Sequence, residues 1–244
     1  MKKFPILLIF LIASTVTAYA TDYTLKSVTY PINVNGVNLT VEPLNYNGTT
    51  YLPIRAISEA VGVPIEWNNA TRSVEITTLD VDKLKESCVM IYAYNEKAGM
   101  QGSGVYVDYD QVLTANHVVD GKPNVKTSDG DILTIEDTDL KTDSAVLESS
   151  EEVKPVKIGD SDEVKVGDKV ILITSPKGAE NTVTYATVQE LNSIGTLIMI
   201  WGDANHGSSG GSVFNTKGEL IGVLKSGGEK LLFIIPINDI RKAL

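Results

Sequence analysis

The chain has few of the residues that build covalent or metal-based sites. Among its 244 residues there is one cysteine, Cys88, and there are two histidines, His117 and His206. A single cysteine excludes an internal disulfide, and so few cysteines and histidines exclude a zinc cluster. No metal and no cofactor is therefore predicted. Because Cys88 begins the apolar run Cys88–Tyr94, it is predicted to be a packed, inert thiol in a buried strand.

Positive charge is also scarce. The sequence has 21 lysine and arginine residues against 31 aspartate and glutamate residues, which gives a formal net charge of −10. An acidic chain without basic clusters argues against nucleic acid as a partner. The remaining composition, with 43% apolar and 21% charged residues, is typical of a globular protein.

The apolar run at the N-terminus is short for a membrane span. Lys2 and Lys3 precede the mostly apolar residues 5–16, and Ala18–Ala20 offers small residues at the cleavage position. This pattern predicts that residues 1–20 are a cleaved secretory signal peptide, with an uncleaved anchor as the alternative. The mature chain is then expected to be secreted or to work at the extracytoplasmic cell surface.

Without a metal or a cysteine site, the sequence has one prominent way to build a catalytic centre. Ser209 lies in the stretch Gly207–Ser212, among glycines and other small residues. A serine hydroxyl needs a base within hydrogen-bond reach to become a nucleophile. His117, which lies in a short apolar run, is the candidate base. Gly210 and Gly211 are expected to let the backbone turn sharply and approach a ligand closely.

The same stretch also fits Gly-x-Ser-x-Gly, the nucleophile elbow of α/β-hydrolases. In that fold the catalytic histidine follows the serine, and no histidine follows Ser209 in this chain. The order here is His117, then an aspartate, then Ser209, which is the order of the chymotrypsin type. Chain order therefore favours the chymotrypsin type over the elbow.

Residues from about 24 to 78 are predicted to form a small α+β unit. Hairpin-type turns at Asn35-Gly36 and Asn47-Gly48 separate β-rich segments. After Pro53 an amphipathic pattern predicts a helix that closes at Gly62, and a pair of strands is predicted beyond it.

This unit resembles the small domain found at the N-terminus of copper amine oxidases. The matching runs are Tyr46–Arg55, Ala60–Gly62 and Glu66–Asn68. The resemblance implies a non-catalytic accessory domain over residues 21–80, and contact with the cell wall or cell surface is left open as its role. It does not imply copper, since the unit contains no histidine or cysteine to bind the metal. Trp67 is interpreted as a core aromatic residue rather than a ligand platform.

Beyond a charged bridge at residues 79–86, the pattern changes to many short β-type segments with turn signals between them. Their number and spacing, from Cys88 to Ile235, predict two packed six-stranded antiparallel β-barrels. The whole chain is therefore predicted to be mainly β, with a small α+β domain at its N-terminus.

Residues 81–244 resemble the protease domain of HtrA-type serine proteases, a bacterial branch of the trypsin-like, or chymotrypsin, fold. The matching motifs are Gly102–Val105 with Leu113–Val119, Thr142–Leu147, Ile158–Asp168, Gly207–Ser212 and Phe233–Asn238. Two positions depart from the family, since Ser208 stands where asparagine is usual and Ser212 where proline is usual. The resemblance implies a secreted serine endopeptidase that acts on polypeptide substrates. Because the sequence stops at Leu244, an HtrA-like protease without a PDZ domain is expected.

The resemblance and the chemistry of the residues together predict a catalytic triad. Ser209 is predicted to attack the peptide carbonyl, His117 to serve as general base and then general acid, and Asp143 to hold the second imidazole nitrogen. The backbone N–H groups of Gly207 and Ser209 are predicted to form the oxyanion hole.

Three alternatives accompany this prediction. Asp137 and Asp139 are other acids in the region, but only Asp143 directly precedes an apolar strand. His206 is an alternative base, although its place three residues before Ser209 favours a loop residue on the leaving-group side. The alternative function is a catalytically silent trypsin-fold binding or scaffold protein, which the accessory domain and the altered serine motif would suit.

The substrate pocket is predicted from residues on either side of the nucleophile. Asp203, six residues before Ser209, is placed at the base of the pocket, and Leu224, Lys225 and Ser226 are placed on the opposite wall. A buried Asp203 carboxylate would favour Lys or Arg before the cut, but Lys225 could neutralise it. HtrA-type relatives often prefer small or medium aliphatic side chains, so cleavage after Val, Ala or Leu is predicted. The sequence leaves the oligomeric state open.

Overall fold

A computed structural model of the protein describes residues 24–34, 37–61, 63, 65–76, 78–191, 197–228 and 230–241. Within this part the chain divides into two compact units, which meet in the sequence between Ile57 and Ser58. The predicted signal peptide, the predicted turn at Asn35-Gly36 and the predicted helix end at Gly62 lie outside the described residues. No helix in these ranges is long and apolar enough to cross a membrane. The domain boundary near residue 80 stays a prediction.

The first unit consists of short antiparallel strands. They are β1 (Lys26–Ser27), β2 (Asn33–Val34), β3 (Val37–Asn38), β4 (Leu44–Tyr46) and β5 (Thr49–Tyr51). Strand β4 pairs with β1 and β5, and β2 pairs with β3. Between β4 and β5, Asn47 and Gly48 have φ angles of 49° and 81°, as the two central residues of a type I′ turn require. The predicted hairpin at Asn47-Gly48 is therefore confirmed.

The predicted helix and strand pair of the N-terminal region are present as α1 (Ile54–Ala60) and a hairpin of β6 (Ile65–Asn68) and β7 (Ser73–Ile76). Trp67 lies opposite Val74 in this hairpin. Their exposed fractions are 53% and 48%. The interpretation of Trp67 as a core residue is wrong, because directly opposed residues share one face of a hairpin and this face is open to solvent.

Helix α2 (Val81–Lys85), capped by the Asp80 carboxylate, leads into a closed barrel of six antiparallel strands. The strands are β8 (Cys88–Tyr94), β9 (Gly99–Tyr106), β10 (Gln111–Ala115), β11 (Asn124–Thr127), β12 (Ile132–Asp139) and β13 (Ser144–Ser149). Around the barrel they follow the order β10, β13, β12, β11, β8, β9. A short helix, α3 (Asn116–Val119), follows β10 directly. Alternate residues of each strand point inward, and they fill the barrel with side chains such as Ile91 and Leu147.

A second closed barrel follows. Its strands are β15 (Lys169–Thr174), β16 (Thr182–Leu191), β17 (Ile198–Trp201), β18 (Ser212–Phe214), β19 (Glu219–Gly227) and β20 (Leu231–Pro236). The order is β19, β18, β15, β16, β17, β20, and the pairing of β20 with β19 closes the barrel. The short strand β14 (Lys157–Ile158) adds to β19 in parallel, and α4 (Ile237–Ile240) follows β20. The predicted fold of two six-stranded barrels is confirmed.

The two barrels share one apolar core. It joins Val105 and Leu113 of the first barrel to Phe214 and Val223 of the second. Since no disulfide is available, this shared burial is a main source of cohesion between the barrels, at about 25 cal/mol for each Å² of apolar surface removed from water.

Cys88 lies in this shared core with 5% of its surface exposed. Its Sγ is 3.2 Å from the hydroxyl oxygen of Ser212. Burial raises the pKa of the Cys88 thiol to about 12, although the hydrogen bond with Ser212 acts in the opposite direction. The predicted packed, inert thiol is therefore confirmed.

The segment before β8 packs against the same core. Leu79, Val81 and Leu84 are partly buried against it, and a Cβ added to Gly218 would lie 3.6 Å from Leu84 and closer still to Leu79. A chain that begins at residue 78 is therefore expected to keep full stability of the barrels. A chain that begins at Ser87 should lose about 3 kcal/mol of unfolding free energy, because three partly buried aliphatic side chains are removed and each contributes about 1 kcal/mol, less than the roughly 1.5 kcal/mol or more of full burial.

Urea unfolding of the two truncated chains, followed by circular dichroism, measures this difference. Equal midpoints for both chains would show that the segment 79–86 only links the domains and adds nothing to the barrels.

Candidate active site

His117 and Asp143 are brought together by the pairing of β10 with β13. Ala115, the last residue of β10, lies opposite Ser144, the first residue of β13. His117 therefore follows β10 in α3 just where Asp143 precedes β13. The N–H of Asn116 donates to the Asp143 carbonyl oxygen at 3.0 Å, which extends the ladder by one bond.

The Asp143 carboxylate holds His117 through both of its oxygens. The His117 ring Nδ1 is 3.0 Å from Oδ2, and the His117 backbone N–H donates to Oδ1 at 3.0 Å. Asp143 has a φ of 59°, a left-handed conformation that aspartate tolerates better than most residues. An ionised carboxylate only accepts hydrogen bonds, so Nδ1 must be the donor and Nε2 is left as an acceptor.

The electrostatics of Asp143 favour its ionised form. Burial alone would raise the pKa of its carboxyl, but hydrogen bonds from the His117 ring and backbone, together with the charges of His117 and Lys225, outweigh burial and hold this pKa below its ordinary value. The ionised carboxylate therefore stabilises the fold above the ordinary range of Asp, and this contribution is lost as the pH falls through the lowered value.

The competing acids lie elsewhere. Asp137 is exposed, and the Asp139 carboxylate accepts N–H bonds from Lys141 and Thr142 at 2.7 and 3.4 Å. The structure therefore places Asp143, and neither neighbour, against the imidazole.

Ser209 lies in a loop that both barrels hold. Its carbonyl oxygen accepts the N–H of Ser103 on β9 at 2.8 Å, while the N–H of Gly210 donates to Leu224 on β19 at 2.8 Å. A Cβ added to Gly102 would lie 2.6 Å from Val118 of α3 and 3.2 Å from the Ser209 carbonyl oxygen. The serine loop and the helix that carries His117 thus border the same glycine. The Ser209 hydroxyl makes no hydrogen bond to any of the described residues.

Two backbone N–H groups in this loop are free to bind a ligand. Neither Gly207 nor Ser209 donates its N–H to any acceptor in the described part of the chain. The carbonyl of His206 accepts the N–H of Lys177 at 2.7 Å. In a trans peptide the N–H points opposite to the C=O, so this bond turns the Gly207 N–H away from Lys177. Gly207 has a φ of 93°, which suits glycine.

The two departures in the serine motif are accommodated locally. The Ser208 hydroxyl accepts the Asn205 N–H at 3.3 Å, and the Ser208 backbone N–H donates to the Asn205 carbonyl at 3.0 Å. The Ser212 hydroxyl donates to the Ile173 carbonyl at 3.3 Å. Both side chains are buried, so each supports the loop from behind and neither blocks Ser209.

Sequence reasoning missed Ser103, which links the serine loop to the first barrel. Its backbone N–H donates to the Ser209 carbonyl oxygen. Its hydroxyl donates to the Gly207 carbonyl at 2.9 Å and accepts the Ser175 N–H at 2.8 Å. Its carbonyl accepts the Thr114 hydroxyl at 2.7 Å. The Gly-Ser-Gly motif was visible as a signal, but its role depends on contacts between distant parts of the chain.

Two further supports carried no signal in the sequence. The Gln101 amide donates to the Ser175 and Gly207 carbonyls at 2.6 and 3.3 Å, and its oxygen accepts the Gly178 N–H at 3.2 Å. Lys177 contributes its backbone N–H, which donates to the His206 carbonyl oxygen. Together with Ser103 they hold the loop at residues 206–209 in place.

The predicted pocket residues differ in their exposure to solvent. Asp203 and His206 are exposed, Ser226 is exposed, and Leu224 is 1% exposed in the core of the second barrel. Leu224 therefore does not line a pocket wall, because it occupies an inward position of β19. Asp203 is not a buried carboxylate either, since the chain leaves β17 there as a surface loop.

The ion-pair partner of Lys225 also differs from the predicted one. The Nζ of Lys225 lies 4.0 Å from Asp143 Oδ2, and no ion pair joins it to Asp203 in the described ranges.

Among the described residues, no group of three or more His, Cys, Asp or Glu side chains has a spacing that could hold a metal ion.

Comparison with known proteins decides the family. A family model for the trypsin-like peptidase domain matches residues 102–223, which is half of the chain. The chain belongs to the trypsin-like peptidase family. A second model, for the copper amine oxidase N-terminal domain, matches residues 24–119. Both resemblances are therefore confirmed.

Two relatives of similar sequence are named as serine proteases. The putative serine protease HhoB of Synechocystis is 37% identical over 156 residues, which are 56% of this chain and 38% of that protein. The probable periplasmic serine endoprotease DegP-like of Marinomonas is 38% identical over 134 residues, which are 50% of this chain and 29% of that protein. This trypsin-like chain thus spans well under half the length of these relatives.

A solved structure shares the fold. The active form of the Rv3671c protease from M. tuberculosis is similar with a TM-score of 0.61 and 23% identity, covering 66% of this chain and 81% of that one. At this identity the likeness bears on the fold alone.

Proposed function

We propose that this chain is a serine endopeptidase that hydrolyses peptide bonds in polypeptides through His117, Asp143 and Ser209. The observation that carries the proposal is the imidazole fixed by Asp143, with its Nε2 left as an acceptor, beside a serine loop with two free N–H donors. The names of the relatives, a putative serine protease and a probable serine endoprotease, support the same activity.

In the proposed reaction, Ser209 Oγ bonds to the substrate carbonyl carbon while its proton passes to His117 Nε2. Asp143 stabilises the imidazolium, and the N–H groups of Gly207 and Ser209 bind the oxyanion. The C–N bond then breaks, and the leaving amine takes the proton from Nε2. Water repeats these steps on the acyl-enzyme and releases the acid. The hydrogen bond from Ser209 to His117 closes as substrate binds, since such bonds are often long in a free enzyme.

A fluorophosphonate reagent tests the proposal directly. It phosphonylates only an activated serine, and mass spectrometry then identifies the modified residue. We expect modification at Ser209, and none in Ser209→Ala. Failure of the folded native chain to react at all would instead support the catalytically silent scaffold.

We further propose that the protease works outside the cytoplasmic membrane. Residues 1–20 have the pattern of a signal peptide, and the Marinomonas relative is named periplasmic. Sequencing the N-terminus of the exported protein tests this, with Thr21 expected as the first residue. A mature chain that begins at Met1 would contradict cleavage.

For substrate preference we propose cleavage after aliphatic residues such as Val, Ala or Leu. Asp203 is exposed, and an exposed carboxylate gains only about 0–1 kcal/mol from pairing with a cation. Asp203→Ala should therefore change cleavage after any residue by less than about fivefold.

Peptides that vary only in the residue before the cut measure this preference. Asp162→Ala, which removes an exposed carboxylate from the turn after β14, serves as the matched control. Strong cleavage after Arg that Asp203→Ala abolishes would make Asp203 the specificity determinant and overturn the proposal.

A further inference from the structure

Lys225 meets the proposed catalytic pair at a shared oxygen. Its Nζ lies 4.0 Å from Asp143 Oδ2, the same oxygen that the His117 ring Nδ1 contacts at 3.0 Å. The Lys225 side chain is 34% exposed, while that of Asp143 is 14% exposed. The ammonium group thus approaches a largely buried carboxylate from the side of β19.

Several parts of the described chain bring other charged groups toward this carboxylate. Helix α3 brings His117, and β19 brings Lys225; among the described residues these two carry the charges that lower the pKa of Asp143. The loop before β13 brings Lys141, and the end of β12 brings Asp139. The Asp139 carboxylate is turned toward the backbone N–H groups of Lys141 and Thr142. Among the described residues, Lys225 is therefore the lysine that lies within ion-pair distance of the Asp143 carboxylate.

We propose that Lys225 is a positioning residue that acts through Asp143 and limits how strongly the carboxylate favours the imidazolium form of His117. The inference rests on the proposed function, since it concerns the base of that reaction. A cation at Oδ2 keeps the carboxylate ionised and repels a second cation on the ring. The neutral imidazole needed to accept the Ser209 proton is thereby kept available in more acidic solution.

The acidic limb of the pH–rate profile reads out this effect, because kcat/KM reports the base of the free enzyme. In Lys225→Met the limb should move to higher pH by about 0.5 to 1 unit, the size expected for unit charges in a partly solvated site. Lys225→Arg keeps the charge and should leave the limb where the native chain has it.

The experiment measures the rate of inactivation by a fluorophosphonate without a peptide part, from about pH 5 to about pH 8. An unmoved limb in Lys225→Met would overturn the inference, as would an equal shift in Lys225→Arg, which would indicate packing rather than charge. If Lys225→Met changes only KM for peptides and not this profile, Lys225 binds substrate instead. A native chain that does not react would refute the proposed function, a separate result.

Discussion

Ser209→Ala, His117→Ala and Asp143→Asn are each expected to lower peptide hydrolysis by about 10³-fold or more, while the chain stays folded. The first removes the nucleophile and the second removes the base. Asp143→Asn leaves the shape intact, but an amide no longer fixes Nδ1 as the donor, so the ring loses its working tautomer. The three effects should not add, because the residues act as a unit.

Hydrolysis of casein measures these losses, and circular dichroism verifies the fold. Asp139→Asn is the matched control, because its side chain caps a turn through backbone N–H bonds that an amide oxygen also accepts; its rate should stay within about threefold of the native rate. Near-normal hydrolysis by Asp143→Asn would show that another acid orients the base.

Gly210→Ala is expected to cause the largest loss of stability, about 4 kcal/mol or more, because overpacking adds to backbone strain there. Gly210 has a φ of 82°, and an added Cβ would overlap the Ser103 carbonyl oxygen and the Thr114 hydroxyl. Both atoms belong to the first barrel, so relief of the overlap requires the barrels to separate.

Gly167→Ala isolates the contribution of backbone strain. Gly167 has a φ of 96°, and nothing lies within 4 Å of an added Cβ. The Gly167→Ala variant should lose only about 1–2 kcal/mol of unfolding free energy, the usual cost of a left-handed conformation. Urea unfolding compares the two variants, and equal losses would mean that the serine loop yields to the added methyl group without disturbing the barrels.

The sequence predicted the two barrels and the pairing of His117 with an acid before β13, because these depend on local patterns. It did not reveal that Gly210, whose φ of 82° fits the predicted sharp turn, also packs against Ser103 and Thr114 of the first barrel. The sequence analysis also predicted that Lys225 pairs with Asp203 and that Trp67 lies in a core. For Gly210 and Lys225 the deciding contacts join segments far apart in the sequence, and such contacts leave no local pattern. For Trp67 the hairpin is local, but the exposure of its face is seen only in the structure.

The bonds that Ser103 makes to the serine loop also set an order of events. The first barrel, with His117 and Asp143, leaves the ribosome before the second, and domains fold largely in that order. The loop around Ser209 is complete only after the second barrel has formed and docked onto β9. An unfolded chain would therefore carry every residue of the proposed protease and still be unable to cut its neighbours.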